Sequence, residues 1–261
     1  MITSLSNDKV KLRRALSDRK QRVRAGRFVI EGARLIDDAQ AAGVKPDWVL
    51  CAEQLTPRAR ATLAQLKSQG VELIPVSDSV LQSCSETETP QGILAVAPFP
   101  QLKLPDQPTL ILIADALRDP GNLGTLLRSA AAAGIDGVLL SPETVDAYSP
   151  KVVRGAMGAH FRLPIVQADW ALIDQSTRGL KIYLASAEGE CAYNEVDWTL
   201  PGALIVGGEA SGASESASRL TSTRVSIPLA NEVESLNAAV AASVILFEAK
   251  RQRNLDTDKH R

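Results

Sequence analysis

Short apolar runs separated by stretches of helical periodicity organise this chain from end to end. Phe28-Val29-Ile30 reads as a strand and residues 31–42 as a helix ending at Gly43. Asp47 to Cys51, residues 71–76 and Ile93 to Ala97 read as further strands, with a helix over 57–69 ending at Gly70. This alternation predicts a small α/β unit over residues 1–97. Four prolines within residues 98–108 then predict an extended, stiff connection. Beyond it the strands are longer and more apolar, at 110–114, 137–140, 181–185 and 203–206, with shorter candidates at 165–166 and 225–227. Continuous apolar strands of this kind predict a mostly parallel sheet covered on both faces. The last helix, roughly 235–252, is apolar nearly all round until Lys250-Arg251-Gln252-Arg253. That pattern predicts burial, in the core or against a partner subunit. The expected fold class is α/β, with domains at 1–97 and 108–261 joined by a linker at 98–107.

Composition narrows the class of protein. Hydrophobic residues make up 45% and charged residues 23% of the chain, as in ordinary globular domains. No apolar run approaches the roughly 20 residues that span a bilayer, and the N-terminus has no signal-peptide core. Three widely spaced cysteines, Cys51, Cys84 and Cys191, point to reduced thiols and a cytoplasmic, non-secreted protein. The two histidines, His160 and His260, are too few for a histidine-rich metal site, so no metal is expected.

Charge adds a feature that the balance conceals. The net charge is −1, yet residues 1–34 hold ten basic side chains against three acidic ones. A concentrated basic face attracts phosphate whatever the overall balance. Arg13, Arg14, Arg22 and Arg24 are the candidate RNA contacts, and a solvated helix face is the alternative.

Three loops following apolar strands carry the candidate chemistry. Asp119-Pro120-Gly121-Asn122 is a turn by composition and delivers Asn122 and Arg128 to the start of an alanine-rich helix. α/β proteins place their chemistry at such strand ends. Arg128 could meet a phosphate there or form a helix-surface ion pair, perhaps with Asp119. Gly207-Gly208-Glu209-Ala210-Ser211-Gly212 follows the 203–206 strand, where glycines allow a ligand close to the backbone or simply form a turn. The G-x-G-x-x-G fingerprint of dinucleotide-binding oxidoreductases is absent. Ile227-Pro228-Leu229 opens a third loop that leads to Ser235 and Asn237, both suited to capping the final helix.

In order and spacing, the segments Asp115–Ala130, Leu204–Gly212 and Ile227–Ala241 resemble the three signature motifs of the SpoU (TrmH-type) RNA 2′-O-ribose methyltransferases, of the knotted SPOUT class. The stretches Arg27–Leu35 and Tyr148–Ala159 also look like that family. The resemblance implies a C-terminal catalytic domain tied in a trefoil knot, a ribosomal-protein-like N-terminal domain that captures RNA, and a homodimer. It implies that the backbones of Gly207, Ile227 and Leu236 grip S-adenosylmethionine (AdoMet), and that Glu209 holds the motif loops or the RNA. It further implies that Ser235 and Asn237 line the methylation site, that Arg128 is the catalytic arginine, and that Asn122 orients Arg128 or the ribose. Arginine is a poor base, so a phosphate clamp that stabilises the developing alkoxide is the physically safer role. Asn231 stands where the family pattern usually has Gly, and Asn tolerates left-handed φ. Ribosomal RNA is the first substrate expectation and tRNA the second. A non-catalytic RNA-binding or ribosome-assembly factor on the same scaffold is the alternative.

Overall fold

The computed structural model describes the whole chain except Glu209–Ser211 and His260–Arg261, and it describes no side chains from residue 256 onward. Glu209 and His260 therefore lie outside the described residues. The chain divides into two compact units, Met1–Gln101 with Tyr148–Phe161, and Leu102–Ala147 with Arg162–Arg261.

The first unit contains α1 (Asp8–Ala15), α2 (Arg19–Ala25), β1 (Arg27–Glu31), α3 (Ala33–Ala41), β2 (Trp48–Cys51), α4 (Pro57–Ser68), β3 (Glu72–Pro75), α5 (Asp78–Cys84) and β4 (Ile93–Pro98). Its sheet runs β1-β4-β2-β3; β4 is antiparallel to both neighbours, and β2 is parallel to β3. Strand alternation sorts the core into two layers. Phe28, Ile30, Val49, Ile93 and Ala95 pack on one face with α3 and α4. Val29, Trp48, Leu50, Leu94 and Val96 pack on the other with α1 and α5. Thr56 and Ser77 cap α4 and α5 through their side-chain oxygens, as the N-terminal residue preferences require.

Two of the four arginines assigned to an RNA-facing surface are buried. Arg13 is 2% and Arg22 3% exposed, while Arg14 and Arg24 face solvent. Arg22 Nη1 donates to the carbonyls of Leu16 (2.6 Å) and Ser17 (2.8 Å), which lie just past the end of α1. There a cation satisfies acceptors that the helix leaves open. Arg13 Nη1 donates to Ser17 Oγ (3.2 Å) and lies 3.8 Å from Glu86. Burial lowers the Arg13 pKa from its ordinary value. Charge along the sequence could not separate these two from their exposed neighbours.

Residues 99–108 form no helix or strand. The second unit then contains β5 (Leu110–Asp115), α6 (Pro120–Ala133) and β6 (Gly137–Leu140). Next comes α7 (Pro150–Ala156), within the segment that belongs to the first unit. There Tyr148, His160 and Phe161 gather around Phe28 and Phe99, with the Tyr148 and Phe99 rings 4.3 Å apart. The second unit resumes with β7 (Ile165–Gln167), α8 (Trp170–Ser176), β8 (Lys181–Ala185), β9 (Cys191–Ala192), β10 (Gly202–Gly207), α9 (Glu215–Leu220), β11 (Thr223–Ser226) and α10 (Ala238–Lys259). All seven strands of its sheet are parallel, in the order β7-β6-β5-β10-β8-β11-β9. The short helices α5, α8 and α9 and the two-residue β9 have too little periodicity to read from sequence.

The final helix starts at Ala238, three residues later than its apolar pattern suggests, and continues to Lys259. Asn237 sets that start, because its Oδ1 accepts from the backbone N–H of Ala239 (3.0 Å) and Val240 (3.2 Å). Ala239, Ala242, Ile245, Leu246 and Ala249 are buried, whereas Val240 and Phe247 are each 46% exposed. Its all-round apolarity thus divides into a buried face and an open one. Arg253 fastens the distal part, donating to the carbonyls of Trp198 (2.8 Å), Leu200 (3.2 Å) and Thr109 (2.8 Å).

Candidate active site

A parallel sheet collects its carboxyl-terminal loops at one edge. Here the loops after β8, β10 and β11, together with the start of α10, enclose a cavity of about 590 Å³. Gly207, Ile227, Leu236, Ser235 and Asn237 all line it. The structure thus brings together residues separated by thirty positions, because β8 lies between β10 and β11 and their ends reach one edge.

The glycines are required by close approach of backbone. A Cβ at Gly207 would lie 2.7 Å from the Gly212 carbonyl carbon and oxygen and 2.8 Å from Ala213 N. A Cβ at Gly208 would lie 2.9 Å from the carbonyl oxygen of Ala116. Gly207 therefore lets the β10 loop fold back on itself, and the cavity wall depends on that fold. Asn231 has φ +57°, the left-handed conformation that Asn adopts more readily than most residues, and Glu232 has the same φ.

Asn122 and Asn237 meet. Asn237 Nδ2 donates to Asn122 Oδ1 at 2.9 Å, across 115 residues of sequence. Each is held by a helix start: Asp119 Oδ1 accepts from Asn122 N at 2.8 Å, and Asn237 caps α10. Ser243 Oγ donates to Ser129 Oγ (2.7 Å) and Lys250 Nζ to Ala132 O (2.7 Å), so α6 and α10 run side by side with their N-termini at one end. Two helix dipoles then present their positive ends to the same place, a setting that favours an anion.

Arg128 stands on the exposed side of α6, and its side chain makes no hydrogen bond or ion pair among the described residues. Asp119, the partner suggested by the ion-pair reading, is engaged in capping. Six residues past Asn122, Arg128 lies about 9 Å along the helix and about 120° round its axis. It is not on the cavity wall. Ser235 is exposed and at the wall, and it is not the helix cap.

Three further residues shape the site. Asp115, 1% exposed, ends β5; it accepts from Ser214 N (2.7 Å) and Ser141 Oγ (3.0 Å) and so pins the loop after β10 to the loop after β6. A lone acid closing an apolar strand was the signal in the sequence. Ser141 Oγ also accepts from Ala116 N (3.0 Å), supporting the positive φ of Ala116. Arg224, on β11, lines the cavity beside Ser218.

Comparison with known proteins decides the family. Residues 109–247 match the SpoU rRNA Methylase family and residues 7–95 the MRM3-like substrate binding domain. This chain belongs to the SpoU rRNA methylase family. Among its relatives is the 23S rRNA (guanosine(2553)-2′-O)-methyltransferase RlmP of Bacillus subtilis, 34% identical over 95% of this chain and 98% of that protein. The human mitochondrial rRNA methyltransferase 3 is 35% identical over 91% of this chain and 70% of its own length. The crystal structure of the SpoU methyltransferase AviRb from Streptomyces viridochromogenes, in complex with AdoMet, superposes with a TM-score of 0.86. It is 31% identical and covers 95% of this chain and 98% of that one. In this SpoU family member the cavity suits such a cofactor. Leu184, Val206, Ile227, Leu236 and Ile245 offer an apolar slot for a purine, and Ser186 and Ser218 add polar groups to the wall.

Proposed function

We propose that this chain transfers a methyl group from AdoMet to a ribose 2′-hydroxyl of ribosomal RNA. One observation carries the reading: three loops distant in sequence meet where the Asn122–Asn237 hydrogen bond borders the cavity. A scaffold that only bound RNA would have no need of that cavity. AdoMet, when bound, supplies an already activated methyl group, so the protein has to position the hydroxyl and stabilise the charge that develops on it. Gly207, Ile227 and Leu236 hold the cofactor through their backbones, and Ser235 and Asn237 face the reacting ribose. Asn122 fixes the Asn237 amide. Arg128 clamps the ribose phosphate, the paired helix N-termini favour the developing alkoxide, and the hydroxyl proton leaves to solvent at the exposed Ser235 and Asn237. Glu209 is assigned to steadying the motif loops or the RNA. The exposed Arg14 and Arg24, in an RNA-binding domain at residues 1–97, hold RNA by phosphate attraction, and residues 108–261, beyond a linker at 98–107, carry the chemistry.

The knot is part of the same proposal; the insertion of β10 between β5 and β8, followed by the return of α10 along α6, supports it. A homodimer is supported by the open apolar stripe of Val240 and Phe247 on α10. Phe247→Glu should convert it to monomer in sedimentation equilibrium. The function is tested by mapping 2′-O-methyl positions in ribosomal RNA from cells with and without the gene, and restoring any lost mark with purified protein and AdoMet. An unchanged methylation map would remove the proposal.

A further inference from the structure

The cavity holds one side chain that the reaction described above does not use. Among the described residues that line it, Arg224 alone is ionisable; the rest are aliphatic side chains, glycines, serines and Asn237. Arg224 is exposed, and its side chain makes no hydrogen bond or ion pair among the described residues. This contrasts with Arg118, Arg219 and Arg251 of the same unit, each paired with a glutamate. The backbone explains its placement. Arg224 pairs in register with Leu184 of β8, so both side chains project from the same face of the sheet, toward α9 and Ser218.

The proposed cofactor carries three charges at neutral pH: a sulfonium, an ammonium and a single carboxylate. A lone guanidinium in the cavity repels the first two and attracts the third. Given the AdoMet reading of this site, on which the inference rests, we propose that Arg224 is a cofactor-positioning residue that holds the carboxylate of AdoMet. The amino-acid tail then lies toward β11 and α9. That directs the sulfonium, with its methyl group, away from Arg224 and toward Ser235 and Asn237, where the ribose is expected. Arg224 so selects the orientation of the cofactor by repulsion at one end and attraction at the other.

The test is a cycle with two ligands and two proteins, read by calorimetry on the full chain. The ligands are AdoMet and its decarboxylated form, which keeps both positive charges and lacks only the carboxylate. Wild-type protein should bind the decarboxylated ligand roughly tenfold more weakly, the scale of one charge-assisted hydrogen bond at a solvent-facing rim. Arg224→Gln should weaken AdoMet to a similar extent and bind the two ligands about equally. Arg224→Lys, which keeps the charge but not the planar fork, should retain part of the discrimination. Equal discrimination by wild type and Arg224→Gln overturns the assignment, and so does a parallel loss of both ligands in the Gln and Lys variants. Undiminished AdoMet binding with weakened RNA binding would overturn it too, and would give this cation to the substrate. If wild-type protein binds neither ligand, the AdoMet reading itself fails.

Discussion

The two units use charge and strand direction in opposite ways. The first builds a mixed sheet of four short strands, so its loops leave at both ends. Its arginines divide between structure and surface: Arg13 and Arg22 serve the interior, and Arg14 and Arg24 face water. The second builds seven parallel strands, and its loops after β5, β8, β10 and β11 meet at one edge. There the wall is made largely of backbone and small side chains, with Arg224 as its one ionisable group among the described residues. A parallel sheet can assemble a concave site from distant segments, whereas the first unit exposes Arg14 and Arg24 on its helices α1 and α2. The contrast also separates two kinds of mutational damage, to chemistry and to affinity.

The largest effect is expected at Arg128. Arg128→Ala should slow single-turnover methylation at saturating RNA and AdoMet by about 10³-fold, the scale of one lost transition-state contact, with AdoMet affinity within a few-fold. A near-wild-type single-turnover rate would make Arg128 an ordinary surface residue and the catalytic assignment wrong. Next comes Gly207→Val, whose side chain would collide with the Gly212–Ala213 backbone. Overpacking of this kind costs about 1–3 kcal/mol, so AdoMet affinity should fall roughly tenfold to a hundredfold in calorimetry while RNA affinity holds.

The division among the basic residues is sharpened by a pair of variants. Arg22→Met leaves the Leu16 and Ser17 carbonyls without their donor and should lower stability by about 2 kcal/mol in urea titration. Arg14→Glu combined with Arg24→Glu should leave stability almost unchanged, weaken RNA binding and flatten its salt dependence. If the second variant binds RNA like the wild type at two salt concentrations, the exposed face is not a polyanion site. A smaller stability effect than that of Arg22→Met is expected at Asn237, apart from the loss of its proposed contact to the ribose. Asn237→Ala removes the α10 cap and the bond to Asn122 and should cost about 1 kcal/mol in thermal unfolding. Cycling it with Asn122→Ala isolates the side-chain bond from the cap, and strict additivity would show that the bond contributes nothing.

Much of this was legible in the chain because it depends on local physics. Most strands of both sheets are apolar runs, and a run needs no distant partner to declare itself; β5, β6, β8 and β10 fall within a residue of their pattern. The α6 start is written in Asp119-Pro120 and its end in Gly134, since capping and left-handed φ are properties of single residues. The three loop motifs in their order were enough to indicate the family. What the sequence could not supply was proximity. Arg13 and Arg14 are neighbours of equal charge, and only the packing of α1 sends one inward. The segment Tyr148–Phe161 lies between two strands of the second sheet yet packs with Phe28 and Phe99 of the first unit, a choice made by aromatic contacts between residues far apart in sequence, Phe28 with Tyr148 and Phe99 with Tyr148. The reason that Gly207 must be Gly is the backbone of Gly212, and Arg224 joins the cavity only because β11 lies beside β8. Local propensity chose the elements and their caps; sheet order and close packing, which couple positions far apart in sequence, chose which side chains share a site.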